Sequence, residues 1–178
     1  TPGASVVLPA RFDVALLLAL HAERPDRYPV LLESTAAGGT LGQFSILMAC
    51  PDGRLDLGAD GKLTGTAPVL RNRTFLDALD DWWAAERLPA VPAALPFTGG
   101  WFLFLGYELA AQIEPTLSVQ KQSDLPVATA LRIPAALVLS HAGRLEESHA
   151  AALKVLRVMP EHLPAGLLAS AAELNKGE

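Results

Sequence analysis

Three observations predict an α+β fold with mainly antiparallel sheets. Short apolar segments that alternate in polarity follow one another in pairs, as hairpins require, and helical segments stand between these pairs. The order lacks the regular alternation of strand and helix that builds a parallel doubly wound sheet. The 178 residues are 51% hydrophobic and show no repeat of fixed period, which predicts a single domain over residues 1–178.

The first predicted helix covers residues 11–23. This segment lies between Pro9 and Pro25 and contains no helix breaker. Its apolar composition predicts a helix packed against the core. The residues expected to face that core are Leu16, Leu17 and Leu20.

Two hairpins are predicted after this helix. Residues 28–34 and 43–49 alternate in polarity and are expected to pair across the loop between them. The second hairpin covers residues 54–66, with Asp60-Gly61 at its turn, a dipeptide that suits turns needing positive φ. Alternation in the second strand of the first hairpin places three side chains on one face: Phe44, Ile46 and Met48.

Another helix is predicted to begin after Thr74, whose hydroxyl can accept a hydrogen bond from the first helical turn. Phe75, Leu79 and Trp82 then share a helical face. The remaining elements, in chain order, are an extended proline-rich connection at 88–97, a strand at 99–105 that turns at Gly106, strands at 125–134 and 135–141, and helices at 150–159 and 165–174.

Composition narrows the class of partner and the compartment. The formal net charge is −5, and no stretch concentrates Lys and Arg as a nucleic-acid or anionic lipid surface requires. The apolar runs are far shorter than the roughly 20 residues that cross a bilayer. The single cysteine, Cys50, cannot form an internal disulfide. We therefore expect a cytoplasmic protein that binds neither nucleic acid nor membrane.

No motif assigns a catalytic or metal-binding residue. The four histidines and Cys50 stand in no metal-ligand spacing, and the glycine motifs of nucleotide-binding loops are missing. Two glycine-bearing stretches remain, at 28–51 and 96–115. From the residues alone, two alternatives stay open: a small-ligand pocket, or a purely structural or partner-binding domain in which the glycines serve a loop and the start of a strand.

Those two stretches, in this order, resemble the N-terminal domain of component I of two chorismate-utilising enzymes, anthranilate synthase and aminodeoxychorismate (para-aminobenzoate) synthase. The first match is Leu31-Leu32-Glu33-Ser34, a short loop, then Gly42-Gln43-Phe44-Ser45-Ile46-Leu47. The second runs from Pro96 to Glu114 and comprises Pro96, Phe97, Gly99, Gly100, Gly106, Tyr107, Glu108 and Glu114. Two motifs in register make the resemblance fairly specific.

The resemblance implies that the loop in the first stretch helps to form a pocket for L-tryptophan. Gln43 stands where arginine is more usual, so one ionic contact of the family pattern is missing. The residues implied to line the pocket are Glu33, Ser34, Leu41, Gly42, Gln43 and Phe44.

The family's N-terminal domain also implies antiparallel sheets in an orthogonal, sandwich-like packing with helices. The resemblance covers only the first part of component I, so the catalytic chorismate-binding domain is expected to follow residue 178, and the chain alone is expected to be inactive and without a cofactor. The full-length parent would use Mg²⁺ and ammonia from a glutamine amidotransferase subunit. The folate branch is favoured over anthranilate synthase, and a stand-alone amino-acid-binding or interaction module is the third alternative.

Overall fold

The computed structural model confirms the predicted α+β class with antiparallel sheets. The residues it describes are 4–8, 13–33, 43–68, 74–87, 96–119, 125–140 and 153–157. The chain divides into two compact units, the first made of residues 1–51, 91–99 and 134–178 and the second of residues 52–90 and 100–133. Each unit is described separately below.

In its described residues, the first unit contains a five-stranded antiparallel sheet and one helix, with the strand order β1-β9-β8-β3-β2. Its elements are β1 (Ala4–Leu8), α1 (Val14–Glu23), β2 (Val30–Leu32), β3 (Phe44–Ala49), β8 (Ala135–Ser140) and β9 (Leu153–Arg157).

Helix α1 forms as predicted and packs on this sheet. Asp13 caps its N-terminus, since its Oδ1 accepts a hydrogen bond of 3.0 Å from the backbone N–H of Leu16. Leu17 is fully buried in a cluster with Leu47 and Leu137. Leu16 and Leu20 are partly buried against the same cluster, which confirms the predicted core side of the helix.

The predicted first hairpin is also confirmed, because β2 and β3 pair antiparallel with Val30 opposite Met48. The core side of β3 carries Leu47 and Ala49, which pack in the α1 cluster. Phe44 and Ile46 alternate with them on the other face, as predicted, and are half-buried.

The prediction of a helix at 150–159 is wrong where the structure describes it. Leu153–Arg157 is strand β9, which pairs with β1 on one side and β8 on the other. The segment is rich in alanine and leucine, which are good helix formers, but pairing on both edges outweighs that propensity. Strand β1 was not predicted, and residues 165–174 and most of 88–97 lie outside the described part of the chain.

The second unit is a four-stranded antiparallel sheet in the order β5-β4-β7-β6, covered by a helix. Its elements are β4 (Gly53–Leu57), β5 (Leu63–Gly65), α2 (Phe75–Glu86), β6 (Gly100–Leu105), a single 3-10 turn (Tyr107–Leu109), α3 (Ala110–Ile113) and β7 (Ala128–Ile133). The predicted strands at 99–105, 125–134 and 135–141 correspond to β6, β7 and β8.

Local signals for the hairpin and helix of this unit are confirmed. Gly61 adopts a φ of +78° at the β4–β5 turn, and Lys62 donates its backbone N–H to Asp60 Oδ1 at 3.0 Å. Thr74 Oγ1 accepts from the backbone N–H of Asp77 at 3.2 Å and so begins α2. The predicted face of α2 packs on the sheet, with Phe75 and Trp82 buried and Leu79 partly buried.

Candidate functional site

The loop of the first hairpin joins β2, which ends at Leu32, to β3, which begins at Phe44. Its eleven residues, 33–43, exceed the two to five that a hairpin needs. Leu32 lies opposite Ile46, and neighbouring strands are about 4.8 Å apart, so both ends of the loop start from the same end of the hairpin. The structure thereby brings Glu33 to the same end as Gln43.

The described pocket candidates differ in exposure. Glu33 and Gln43 are exposed, whereas Phe44 is half-buried. Leu32 pairs with Ile46 and alternates with the α1-facing Leu31, so Leu32, Ile46 and Phe44 share the face of the sheet away from α1. This end of the hairpin thus offers a partly open apolar surface beside a carboxylate and an amide. The other three candidates, Ser34, Leu41 and Gly42, lie outside the described residues.

The second motif begins at two glycines whose backbone conformation is favourable only for glycine. Gly99 and Gly100 have φ values of +102° and +150°, which L side chains rarely adopt. Pro96 is exposed and Phe97 is half-buried. Gly100 opens β6 opposite Ile133, so the double glycine permits the backbone conformation at the start of this strand.

Gly106 ends β6 for a different physical reason. Its backbone N–H donates to the carbonyl oxygen of Val127 at 2.8 Å, and a Cβ at this position would lie 2.9 Å from that oxygen. Glycine therefore allows two backbones to approach closely. The chain then enters the 3-10 turn, where Tyr107 is 91% exposed and Leu109 is buried. Glu108 is half-buried in the same turn.

The residues after this turn are fixed to helix α2. Gln112 in α3 accepts a hydrogen bond of 3.2 Å through Oε1 from the backbone N–H of Phe75, one of the free N–H groups at the start of α2. Glu114, the last residue of the motif, accepts hydrogen bonds from the Thr116 hydroxyl and backbone, which lower the pKa of its carboxyl group. The described part of this motif thus serves local structure.

Sequence reasoning missed an ion pair with a buried arginine beside the second motif. Arg132 in β7 is only 3% exposed. Its Nε donates to Glu86 Oε2 at 3.1 Å, and its Nη1 donates to the carbonyl oxygen of Gly100 at 3.2 Å. The only signal in the sequence was an arginine inside an otherwise apolar strand segment.

Two tryptophans complete this cluster. The Arg132 guanidinium carbon lies 4.5 Å from the ring centroid of Trp101, a distance at which a cation is attracted to an indole face. Trp82 donates its Nε1–H to Glu86 Oε1 at 2.7 Å. Its ring packs edge-on to Trp101 with centroids 5.7 Å apart. A Cβ on Gly53 would lie 2.5 Å from Trp82 Cζ2, so glycine leaves room for the indole.

The described ranges contain neither a cluster of metal-binding side chains nor a helix that could span a membrane. No group of three or more His, Cys, Asp or Glu residues there could hold a metal ion. His21 has a structural contact instead: its Nδ1 lies 2.6 Å from the Tyr28 carbonyl oxygen, which can only accept, so the ring nitrogen donates. None of the helices in this part of the chain has the length and apolarity needed to cross a bilayer.

Comparison with known proteins gives a likeness in fold. No protein-family model matches the sequence, and no curated protein matches it either. Among solved structures, the crystal structure of anthranilate synthase component I from Streptococcus pneumoniae TIGR4 matches with a TM-score of 0.55 and 18% sequence identity. The match covers 94% of this chain and 36% of that protein, so the chain spans about a third of its length. The chain therefore shares the fold of part of anthranilate synthase component I.

Proposed function

We propose that the chain is the N-terminal domain of component I of a chorismate-utilising enzyme, in the aminodeoxychorismate (para-aminobenzoate) synthase branch. The observation that carries this proposal is the fold match over 94% of the chain. The two motifs support it independently, because they occur in the order and register of that family. The assignment to the aminodeoxychorismate synthase branch, which leads to folate, rests on the resemblance of residues 99–115 and 125–141 to that subfamily.

In this proposal the domain has a structural and regulatory role and contributes no catalytic residue. The full-length parent transfers ammonia, supplied by a glutamine amidotransferase, to chorismate, with Mg²⁺ bound in the catalytic domain beyond this chain. A match to 36% of the larger protein leaves room for that catalytic part. The partners are then the catalytic domain of the same enzyme and the amidotransferase subunit.

The proposal predicts the reaction of the longer gene product. The reading frame is expected to continue beyond residue 178 into a chorismate-binding domain, and that product, given chorismate, ammonium and Mg²⁺, is expected to form aminodeoxychorismate. Chromatography of the reaction mixture checks this. Formation of anthranilate would assign the other branch of the family, and a stop codon directly after residue 178 would identify a stand-alone module.

The pocket is proposed at the first hairpin, with L-tryptophan as its ligand. The Glu33 carboxylate suits the ammonium group, and the Ser34 hydroxyl together with loop N–H groups suits the carboxylate. The half-buried ring of Phe44, on the partly open apolar face, provides a surface for the indole. Leu41, Gly42 and Gln43 complete the proposed lining.

If this pocket binds L-tryptophan, the ligand is expected to stabilise the folded chain. At 100 times the dissociation constant, L-tryptophan is expected to stabilise the chain by about 2.7 kcal/mol, which raises Tm by roughly 5–10 °C for a protein of this size. Calorimetry measures this without interference from the three tryptophans of the chain. Ser34→Ala is expected to lose the shift, and Gln43→Arg to increase it by adding a cation for the ligand carboxylate.

L-Phenylalanine serves as the ligand control, since it has the same charged groups and a smaller ring. An equal shift with both amino acids would show that the site does not recognise indole. No shift at millimolar tryptophan, in this chain and in the longer gene product, would contradict the pocket while leaving the fold unaffected.

A further inference from the structure

The two edges of the sheet in the second unit differ in how they are protected. Strand β5 has three residues, ends at Gly65 with a φ of +126°, and follows an exposed ion pair of 3.1 Å between Lys62 Nζ and Asp60 Oδ2. Short edge strands and nearby charges discourage pairing with another chain. This edge is therefore protected against pairing with another chain, as edge strands of monomeric proteins usually are.

Strand β6, on the opposite edge, shares only the positive-φ glycine, Gly100 at its start. Its six residues, Gly100–Leu105, contain no charge and no proline, and among the described strands it pairs only with β7. Leu103, Phe104 and Leu105 are all exposed. Because successive side chains point to opposite faces, both faces of the sheet are partly exposed along this half of the strand within the described residues.

The apolar surface continues beyond the strand. The hydrogen bond from Gly106 to Val127 holds Tyr107 and Leu125 at the same end of the sheet, and both are exposed. With Ile113, six large apolar side chains expose between 39% and 91% of their area. At about 150–250 Å² for a large side chain, their exposed area totals on the order of 700 Å², which is the upper bound on what a partner could bury here, against roughly 800 Å² per partner in a specific interface.

We propose that this edge is where two copies of the chain pair, with β6 of one copy antiparallel to β6 of the other about a two-fold axis. An antiparallel pair of identical strands is self-complementary, so one patch serves both copies. The uncharged sequence of β6 brings no like charges together within the strand pair. The pairing joins two four-stranded sheets into one and uses, in each copy, the β6 edge that has no partner among the described strands, so that β6 is then unavailable to a third copy. This inference does not depend on the proposed function.

Sedimentation velocity over a range of concentrations tests the pairing. The mass of the wild-type chain is expected to rise from 18.8 kDa toward twice that value as concentration increases. Leu105→Lys is expected to weaken the dimer at least about tenfold, because a lysine on an edge strand opposes strand pairing. Leu18→Lys is the matched control: Leu18 is also about half exposed but lies on α1, and its replacement is expected to leave the dimer unchanged.

Amide hydrogen exchange at low and high concentration locates the contact and shows that the variants remain folded. Amides in residues 100–105 are expected to gain protection with concentration in the wild type and in Leu18→Lys, but not in Leu105→Lys. A mass that stays at 18.8 kDa throughout would overturn the proposal. So would a dimer without added protection in β6, or one that Leu105→Lys leaves intact.

Discussion

Replacement of Glu86, whose side chain is 34% exposed, by alanine is expected to destabilise the second unit by about 2–3 kcal/mol, because a buried charged donor loses its acceptor. Glu86 is the carboxylate partner of Arg132, whose side chain is 4% exposed, so its removal leaves a buried guanidinium without its counter-charge. The same change removes the acceptor of the Trp82 indole N–H. An unpaired buried charge costs much more than the loss of a surface ion pair.

Urea unfolding followed by tryptophan fluorescence measures this effect, because Trp82, Trp83 and Trp101 all lie in the second unit. Asp80→Ala is the matched control, since Asp80 is an exposed acidic residue of the same helix, and it is expected to change stability by no more than about 0.5 kcal/mol. Glu86→Gln, which keeps the acceptor for Trp82, is expected to lose less than Glu86→Ala. Equal losses in Glu86→Ala and Asp80→Ala would contradict the role of this ion pair.

A double variant distinguishes the charge interaction between Arg132 and Glu86 from the packing of their side chains. Arg132→Met combined with Glu86→Leu replaces both charges by apolar groups and is expected to be more stable than the sum of the single changes predicts. The coupling arises because each single change leaves the other charge unpaired. Additive effects would show that the two side chains act independently.

The parts of the fold that depend on neighbouring residues could be predicted from the sequence. Alternating polarity at 28–34 and 43–49 identified the first hairpin, and Thr74 identified the start of α2. The same local reasoning anticipated a turn at Asp60-Gly61 and glycine-dependent backbone at Gly99-Gly100. In each case the physical cause, a cap, a turn or an allowed φ, acts within a few residues.

The parts that depend on distant partners could not be predicted. Strand β9 has the composition of a helix and becomes a strand through pairing with β1 and β8, which lie far from it or just before it in the chain. The Arg132–Glu86 bond joins residues 46 positions apart. For the candidate site, hairpin pairing places Glu33 and Gln43 at one end, whereas their role in a pocket and the ligand remain proposals.

Replacement of Leu17 by alanine is expected to destabilise the first unit by about 2–5 kcal/mol. Leu17 is fully buried on α1 and packs in the same cluster as Leu47, Leu137 and Tyr28. Truncation removes apolar contacts and leaves a cavity under the helix that well-packed neighbours fill only in part. Leu31 of β2 and Leu47 of β3 pack in or against this cluster, so the α1 core also supports the first hairpin.

Amide hydrogen exchange in β3 and β8 measures the effect of Leu17→Ala, because the tryptophans report only on the second unit. A loss of 2 kcal/mol or more appears as a fall in protection of about 30-fold or more. Leu18→Ala makes the same chemical change at the next position, where the side chain is 49% exposed, and is expected to alter protection by less than about threefold. If both variants lowered protection equally, the burial of Leu17 would not be the cause, and the prediction would be contradicted. A selective loss in Leu17→Ala, with tryptophan fluorescence of the second unit unchanged, would establish that the α1 core stabilises its own sheet.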